Sequence, residues 1–290
     1  MEKELLKSGK ILEKTLAFAK KIVKKEVMLL DIVKKIEEFI IKQKAKPAFP
    51  VNLSINDIAA HYSPFPNDKA IAYGLIKIDI GVNYNGYITD AAITIDLENS
   101  KENKRLIRAS KEALKQAIRV VKPEIEVWEI GKAIEEKIKE YGFKPIYNLS
   151  GHSIDFNNLH AGKSIPNYNN KEKTKITTNE IIAIEPFATS GIGYVIDGNP
   201  SSIWILKKQV KPRLYREIYN FIKENFNGLP FSERWLSFSN YKIALNYFKQ
   251  QGIMHNYSIL IEKNKGKVSQ YETTLLVNEK PKLLVDVFEI

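Results

Sequence analysis

From about residue 2 to 26 the apolar positions return at helical spacing, and Ile11, Leu12, Leu16 and Ala19 mark one stripe. A second amphipathic run over about 28–43 predicts a second helix, and Pro47 and Pro50 end the pattern. An extended segment through Ala60 and His61 follows. The period then shortens to two. Lys77 to Tyr84 and Tyr87 to Ala92 read as strands, joined by Asn85-Gly86, the strongest short-range hairpin signal. Further helices are predicted over about 101–121 and 126–141, and strand-like runs surround His152 and Glu185. The stretch from about 212 to 251 reads as helical and aromatic-rich, after which Ser258 to Lys263, Val268 to Val277 and Leu283 to Phe288 alternate as strands. Helix pair, strands, helix pair, strands: this order predicts a duplicated α+β architecture, although the halves share no obvious sequence repeat. The 212–251 block looks like an insertion into it.

The hairpin fixes a register. With Asn85 and Gly86 as the two turn residues, Tyr84 faces Tyr87, Gly81 faces Asp90, and Asp79 faces Ala92. Asp79 and Asp90 then share a face as diagonal neighbours, roughly 7–8 Å apart at the backbone. Two carboxylates at that separation can share metals, or be solvated strand aspartates. Local sequence leaves both open.

Composition narrows the chemistry. A chain of 290 residues, 44% hydrophobic and 27% charged, has ample material for a buried core. Zero cysteines exclude disulfides and thiolate metal sites, so any metal must rest on carboxylates and the four histidines. Asp79, Asp90, His152, Glu185 and Glu272 make a hard, oxygen-rich set of the kind that holds two divalent cations close together. No stretch is apolar enough to span a bilayer and the N-terminus lacks a signal-peptide core, which predicts a cytoplasmic protein with no membrane partner. Lys and Arg number 45 against 34 Asp and Glu, a net +11 that should attract polyanions. The basic residues read as solvated faces spread along the chain, without a nucleic-acid signature. Transient ribosome contact is expected, and specific nucleic-acid recognition is not.

Five segments in order resemble the type II methionine aminopeptidases, over nearly the whole length. They are Phe49-Pro50 through His61-Tyr62; Lys77-Ile78-Asp79-Ile80-Gly81 with Asp90; Asn148 to His152 with Leu159-His160-Ala161-Gly162; Ala183-Ile184-Glu185-Pro186-Phe187; and Ser269 to Thr274. The segment Leu229-Pro230-Phe231-Ser232-Glu233-Arg234-Trp235-Leu236 matches the type II landmark. Thr273 stands where many relatives have His, at a position that is not a family ligand.

The resemblance implies a single catalytic domain over 1–290 with the pita-bread (creatinase/aminopeptidase) fold, pseudo-twofold halves, and a type II helical subdomain inserted at about 208–258. It implies two divalent ions (Co, Mn, Fe or Zn), with Asp90 and Glu272 bridging both, Asp79 on one, and His152 with Glu185 on the other. A water between the ions would be the nucleophile, and Glu185 would also shuttle a proton. His61 and His160 match non-ligand histidines that contact the scissile peptide and stabilise its oxyanion. Phe49, Leu159, Pro230, Tyr257 and Leu260 match positions lining the methionine pocket, though each alone reads as ordinary core. The implied reaction removes Met from a Met-Xaa N-terminus with a small second residue, and the expected assembly is a monomer. A prolidase-like dipeptidase shares the ligands, but usually has a whole extra N-terminal domain and lacks the insertion. A non-catalytic relative would typically have lost ligands. His255 matches no motif position and reads as structural.

Overall fold

The structure is a computed structural model that describes residues 2–226 and 228–290. Helices α1 (Glu2–Ile22) and α2 (Leu29–Lys42) bury the predicted stripes, with Leu12, Leu16, Ile36 and Ile40 inaccessible to solvent. They pack on a four-stranded antiparallel sheet of Lys46–Pro47, Asn52–Ile55, Leu75–Tyr84 and Tyr87–Asp96. Alternation along the Leu75–Tyr84 strand divides the labour. Ile76, Ile78, Ile80 and Val82 enter the main core, while Lys77, Asp79 and Gly81 occupy the opposite face. The first helix stops four residues earlier than predicted, and Glu26 beyond it takes a left-handed conformation, φ 69°.

The second half repeats the plan. Helices α3 (Lys101–Val120) and α4 (Val127–Glu140) pack on strands that include Lys144–Pro145, Ser164–Pro166, Phe187–Thr189 and Val268–Gln270. Ser164–Pro166 is the edge of a five-stranded sheet that also holds Ser150–Ile154, Ile181–Ile184 and Thr273–Leu276. A two-residue bridge joins the backbones of the halves beside the site: Glu272 N donates to Ala92 O at 2.9 Å, and Ala92 N to Glu272 O at 3.3 Å.

A further sheet carries the long Val195–Leu206 and Met254–Glu262 strands, flanked by Ile58–Ala60 and Phe231–Ser232. The predicted helical block is broken into α5 (Arg216–Phe226), that short strand, a 3₁₀ turn at Glu233–Trp235, and α6 (Tyr241–Gln250). Pro212 and Pro230 cannot continue a helix, and Phe231 pairs with Trp204 instead. The block keeps a small core of its own, around Tyr219, Ile222, Phe231 and Phe248. Two strand expectations are corrected. Val268–Val277 changes ladder partner in the middle, leaving Tyr271 and Glu272 between two short strands. Of 283–288 only Leu283 is in a strand, because Asp286 N donates to the Glu13 carboxylate and Phe288 N to Asp286.

Candidate metal centre and substrate cavity

The hairpin forms as the alternation requires. Asn85 and Gly86 have φ of 53° and 91°, the left-handed pair of a tight hairpin turn, and Gly81 faces Asp90 while Asp79 faces Ala92. A Cβ at Gly81 would lie 2.3 Å from the Phe49 ring, so any other residue there must push that ring aside. The second half supplies His152 from the middle of its strand, Glu185 just after Ile184, and Glu272 at the junction of the halves. All five line one cavity of about 360 Å³. Asp90, His152 and Glu272 each offer an atom within 4.8 Å of the others.

The electrostatics suit a positively charged occupant. Burial holds Asp79, Glu185 and Glu272 well above the usual carboxylate range, and repulsion among the cluster adds to it. Burial alone pushes Asp90 up to about 8. Asp79 Oδ1, Asp90 Oδ1 and Glu272 Oε1 are buried with no hydrogen-bond partner among the described residues. Burial also lowers the His152 imidazole to about 4, so the ring is neutral. Its Nδ1 faces the Ser153 carbonyl at 3.4 Å, which leaves the Nε2 lone pair toward Asp90 Oδ2 at 3.5 Å. Orphaned hard oxygens around a neutral imidazole nitrogen fit a divalent cation, which would resolve the repulsion and fill their bonding capacity.

Two supporting residues escaped the sequence reading. Gln270 Nε2 donates to Glu272 Oε2 at 3.1 Å and reaches Glu185 Oε2 at 3.5 Å; Asn52 Nδ2 lies 3.5 Å from Asp79 Oδ2. Gln270 was accessible in principle, because it sits two positions from Glu272. Asn52 becomes visible only through the Asn52↔Asp79 register. Around the ligand candidates the cavity is walled by Phe49, His61, Leu159, His160, Pro230 and Tyr257, with Phe187 and Ile203 in addition. Leu260, half-buried opposite Ala60 in the ladder, packs on the cluster of Ala59, Ile146, Phe187, Val195 and Val268 that adjoins the cavity. His255 is exposed and touches the cavity only through the edge of Tyr257, at 5.3 Å between ring centroids.

His61 carries an unusual backbone for a β-strand exit, φ 64°. Its ring packs against Tyr257 at 5.1 Å, and burial holds it down to about 4. His160 stands at the open mouth with its ring 4.4 Å from that of His152; the protein crowding that ring likewise holds it to about 4.

The sequence profile of "Metallopeptidase family M24" matches residues 3–277. The chain belongs to that family. The "Methionine aminopeptidase" of Pyrococcus abyssi is 42% identical over 291 residues, covering 97% of this chain and 98% of that one. This places the chain among the methionine aminopeptidases and makes it a divalent-metal hydrolase. Among solved structures, a thermophilic Arx1 superposes with TM-score 0.86 at 18% identity, covering 98% of this chain and 90% of that one. The methionine aminopeptidase of Thermotoga maritima gives 0.70 at 21%, covering 97% and 95%. The pita-bread fold of the M24 members is therefore the fold of this chain.

Proposed function

We infer that this protein is a type II methionine aminopeptidase that removes the initiator methionine from proteins whose second residue is small. The observation that carries the reading is a cluster of orphaned carboxylate oxygens at one end of a cavity whose other walls are apolar. Asp79, Asp90, His152, Glu185 and Glu272 would hold two divalent cations, with the central Asp90 and Glu272 serving both. Bound there, the cations supply Lewis-acid polarisation and lower the pKa of an attacking water. Glu185, buried in the same cavity, would serve as the group that carries a proton to the leaving amine. The block at about 208–258 is the type II insertion.

The two histidines divide their work. Ser258 O can only accept, so at 3.2 Å the His61 Nδ1 is the donor, and the neutral ring presents a lone pair at Nε2. His61 is therefore suited to accept from the scissile amide N–H, and His160, with no other hydrogen-bond partner among the described residues, donates to the carbonyl oxygen that becomes anionic. That revises the shared oxyanion role the resemblance implies. Phe49, Leu159, Pro230 and Tyr257, with Phe187 and Ile203, receive the methionine side chain.

Peptides Met-Xaa-Ser test the reading. Met-Ala-Ser is expected to be cleaved with added divalent metal, and Met-Trp-Ser at least about tenfold more slowly, since a closed site rejects added volume. Equal rates would contradict the small-second-residue rule. Cleavage of a Xaa-Pro dipeptide in preference to either would move the chain to the prolidase-like branch, and no cleavage of any substrate to a non-catalytic one.

Charge is less evenly spread than the chain-wide count implied. Residues 207–251 hold nine Lys and Arg against three Glu, six of the eleven net positive charges. That surface supports transient contact with ribosomes by a cytoplasmic, monomeric enzyme. Cosedimentation with ribosomes that vanishes at raised salt is the expected signature, and none at low salt would end the idea. Among the described residues no helix is long and apolar enough to cross a membrane.

A further inference from the structure

Outside the metal centre, one ion pair among the described residues has both side chains under a tenth exposed: Glu37 of α2 with Arg234 of the 3₁₀ turn, at 8% and 5%. The pair is bidentate, with Arg234 Nη1 to Glu37 Oε2 at 3.0 Å and Nη2 to Oε1 at 2.9 Å. Trp235 Nε1 adds a third donor to Glu37 at 2.9 Å. The fork does more than hold the helical block to α2. Arg234 Nε donates to Pro64 O at 2.8 Å, and Nη2 to Ser63 Oγ at 3.0 Å.

Those two contacts fall on the segment that leaves His61. Tyr62 O accepts from Leu53 N at 2.8 Å, Ser63 O from Ser202 Oγ at 2.7 Å, and Pro64 O from Arg234. Every carbonyl from Tyr62 to Pro64 is thus tied down. His61 itself sits at φ 64°, a left-handed conformation that costs a residue with a side chain backbone energy and leaves it reliant on its neighbours' anchors. Its own anchor is one carbonyl, Ser258 O. On the other side, Arg234 lies four residues beyond Pro230, a wall of the same cavity.

We propose that Arg234 is a positioning residue for His61: the helical block reaches across the cleft and fixes the strained exit of the Ile58–Ala60 strand, which makes the block a working part of the catalytic site. Without the fork, residues 61–64 relax toward ordinary backbone angles and the imidazole leaves its line to the scissile amide. The proposal rests on the reading of His61 as a substrate-contacting group. A pair that merely staples two elements together would affect stability and leave the chemistry alone.

Three variants separate these. Arg234→Lys keeps the charge and loses the fork. Glu37→Met/Arg234→Met replaces the buried pair by apolar side chains of similar length, an exchange that commonly preserves stability, and it also deletes the contacts to Ser63 and Pro64. Ser63→Ala removes one hydrogen bond and tests the same idea in a protein certain to be less perturbed. On a Met-Ala-Ser peptide, the first two are expected to lower kcat about tenfold or more with KM within about threefold, because a misplaced catalytic group slows the reaction more than it weakens binding. Ser63→Ala shows the same split at smaller size. Metal content stays that of the unsubstituted protein. In a His61→Ala background the losses disappear, the non-additivity expected of residues acting as a unit. Normal kcat in the doubly substituted Met variant, or a loss of equal size in the His61→Ala background, overturns the proposal. No loss from His61→Ala alone overturns it together with the reading beneath it, whereas no cleavage by the unsubstituted enzyme would refute the functional assignment itself.

Discussion

Asp90→Ala and Glu272→Ala are each expected to lower kcat by about a thousandfold or more, because metal assistance supplies several kcal/mol of transition-state stabilisation. Both residues lie at the junction of the halves, and Glu272 is hydrogen-bonded through its backbone to the strand that carries Asp90. In the proposed arrangement each serves two ions, so loss of either side chain removes bound metal as well as activity. Asp79→Ala takes away one ligand from one ion and should retain more of both. Metal analysis by inductively coupled plasma, run beside peptide cleavage, reads the two effects together. A chelator must reproduce the loss in the unsubstituted enzyme, and readdition of divalent ion must reverse it. Full activity in chelator would eliminate the metal mechanism.

The metal-free protein should lose stability as pH rises, opposite to the usual behaviour of carboxylates. Burial raises the folded-state pKa of Asp90 to about 8, from the ordinary value of 3.8, and raises Asp79, Glu185 and Glu272 in the same direction. Between the two values the folded chain binds protons that the unfolded chain has released. The stabilising contribution is therefore complete in acid, below the unfolded pKa, and is lost as pH rises through about 8. Several kcal/mol are at stake, and in chelator the Tm should fall by more than about 5 °C between pH 5.5 and 8.5. Saturating divalent metal should flatten or invert the trend, because deprotonated ligands are the ones that bind it. A chelated protein whose Tm climbs over that range would contradict the buried, mutually repelling cluster.

Much of this was legible in the chain because it is local. Asn85-Gly86 sets a two-residue turn, period-two alternation does the rest, and the register of Asp79 against Ala92 and Gly81 against Asp90 emerged as read. The first four helices followed from their apolar stripes. What stayed hidden depends on long-range pairing. Asn52 enters the site through a ladder partner 27 positions away. Phe231 looked like part of a helix, yet pairing with Trp204 made it a strand residue. Glu37 is an unremarkable charge in an amphipathic helix until Arg234, 197 positions later, meets it in the interior.

The bridge between Ala92 and Glu272 also sets a timetable. Its partners stand far apart along the chain, Ala92 in the first half and Glu272 in the second. A growing chain holds Asp79 and Asp90 long before it holds Glu272, so the carboxylate cluster closes only after the second half has been made and docked. A chain that lacks the second half, or docks it wrongly, leaves Asp79 and Asp90 without Glu272 beside them, so the cluster depends on the docking of the halves as much as on either half alone.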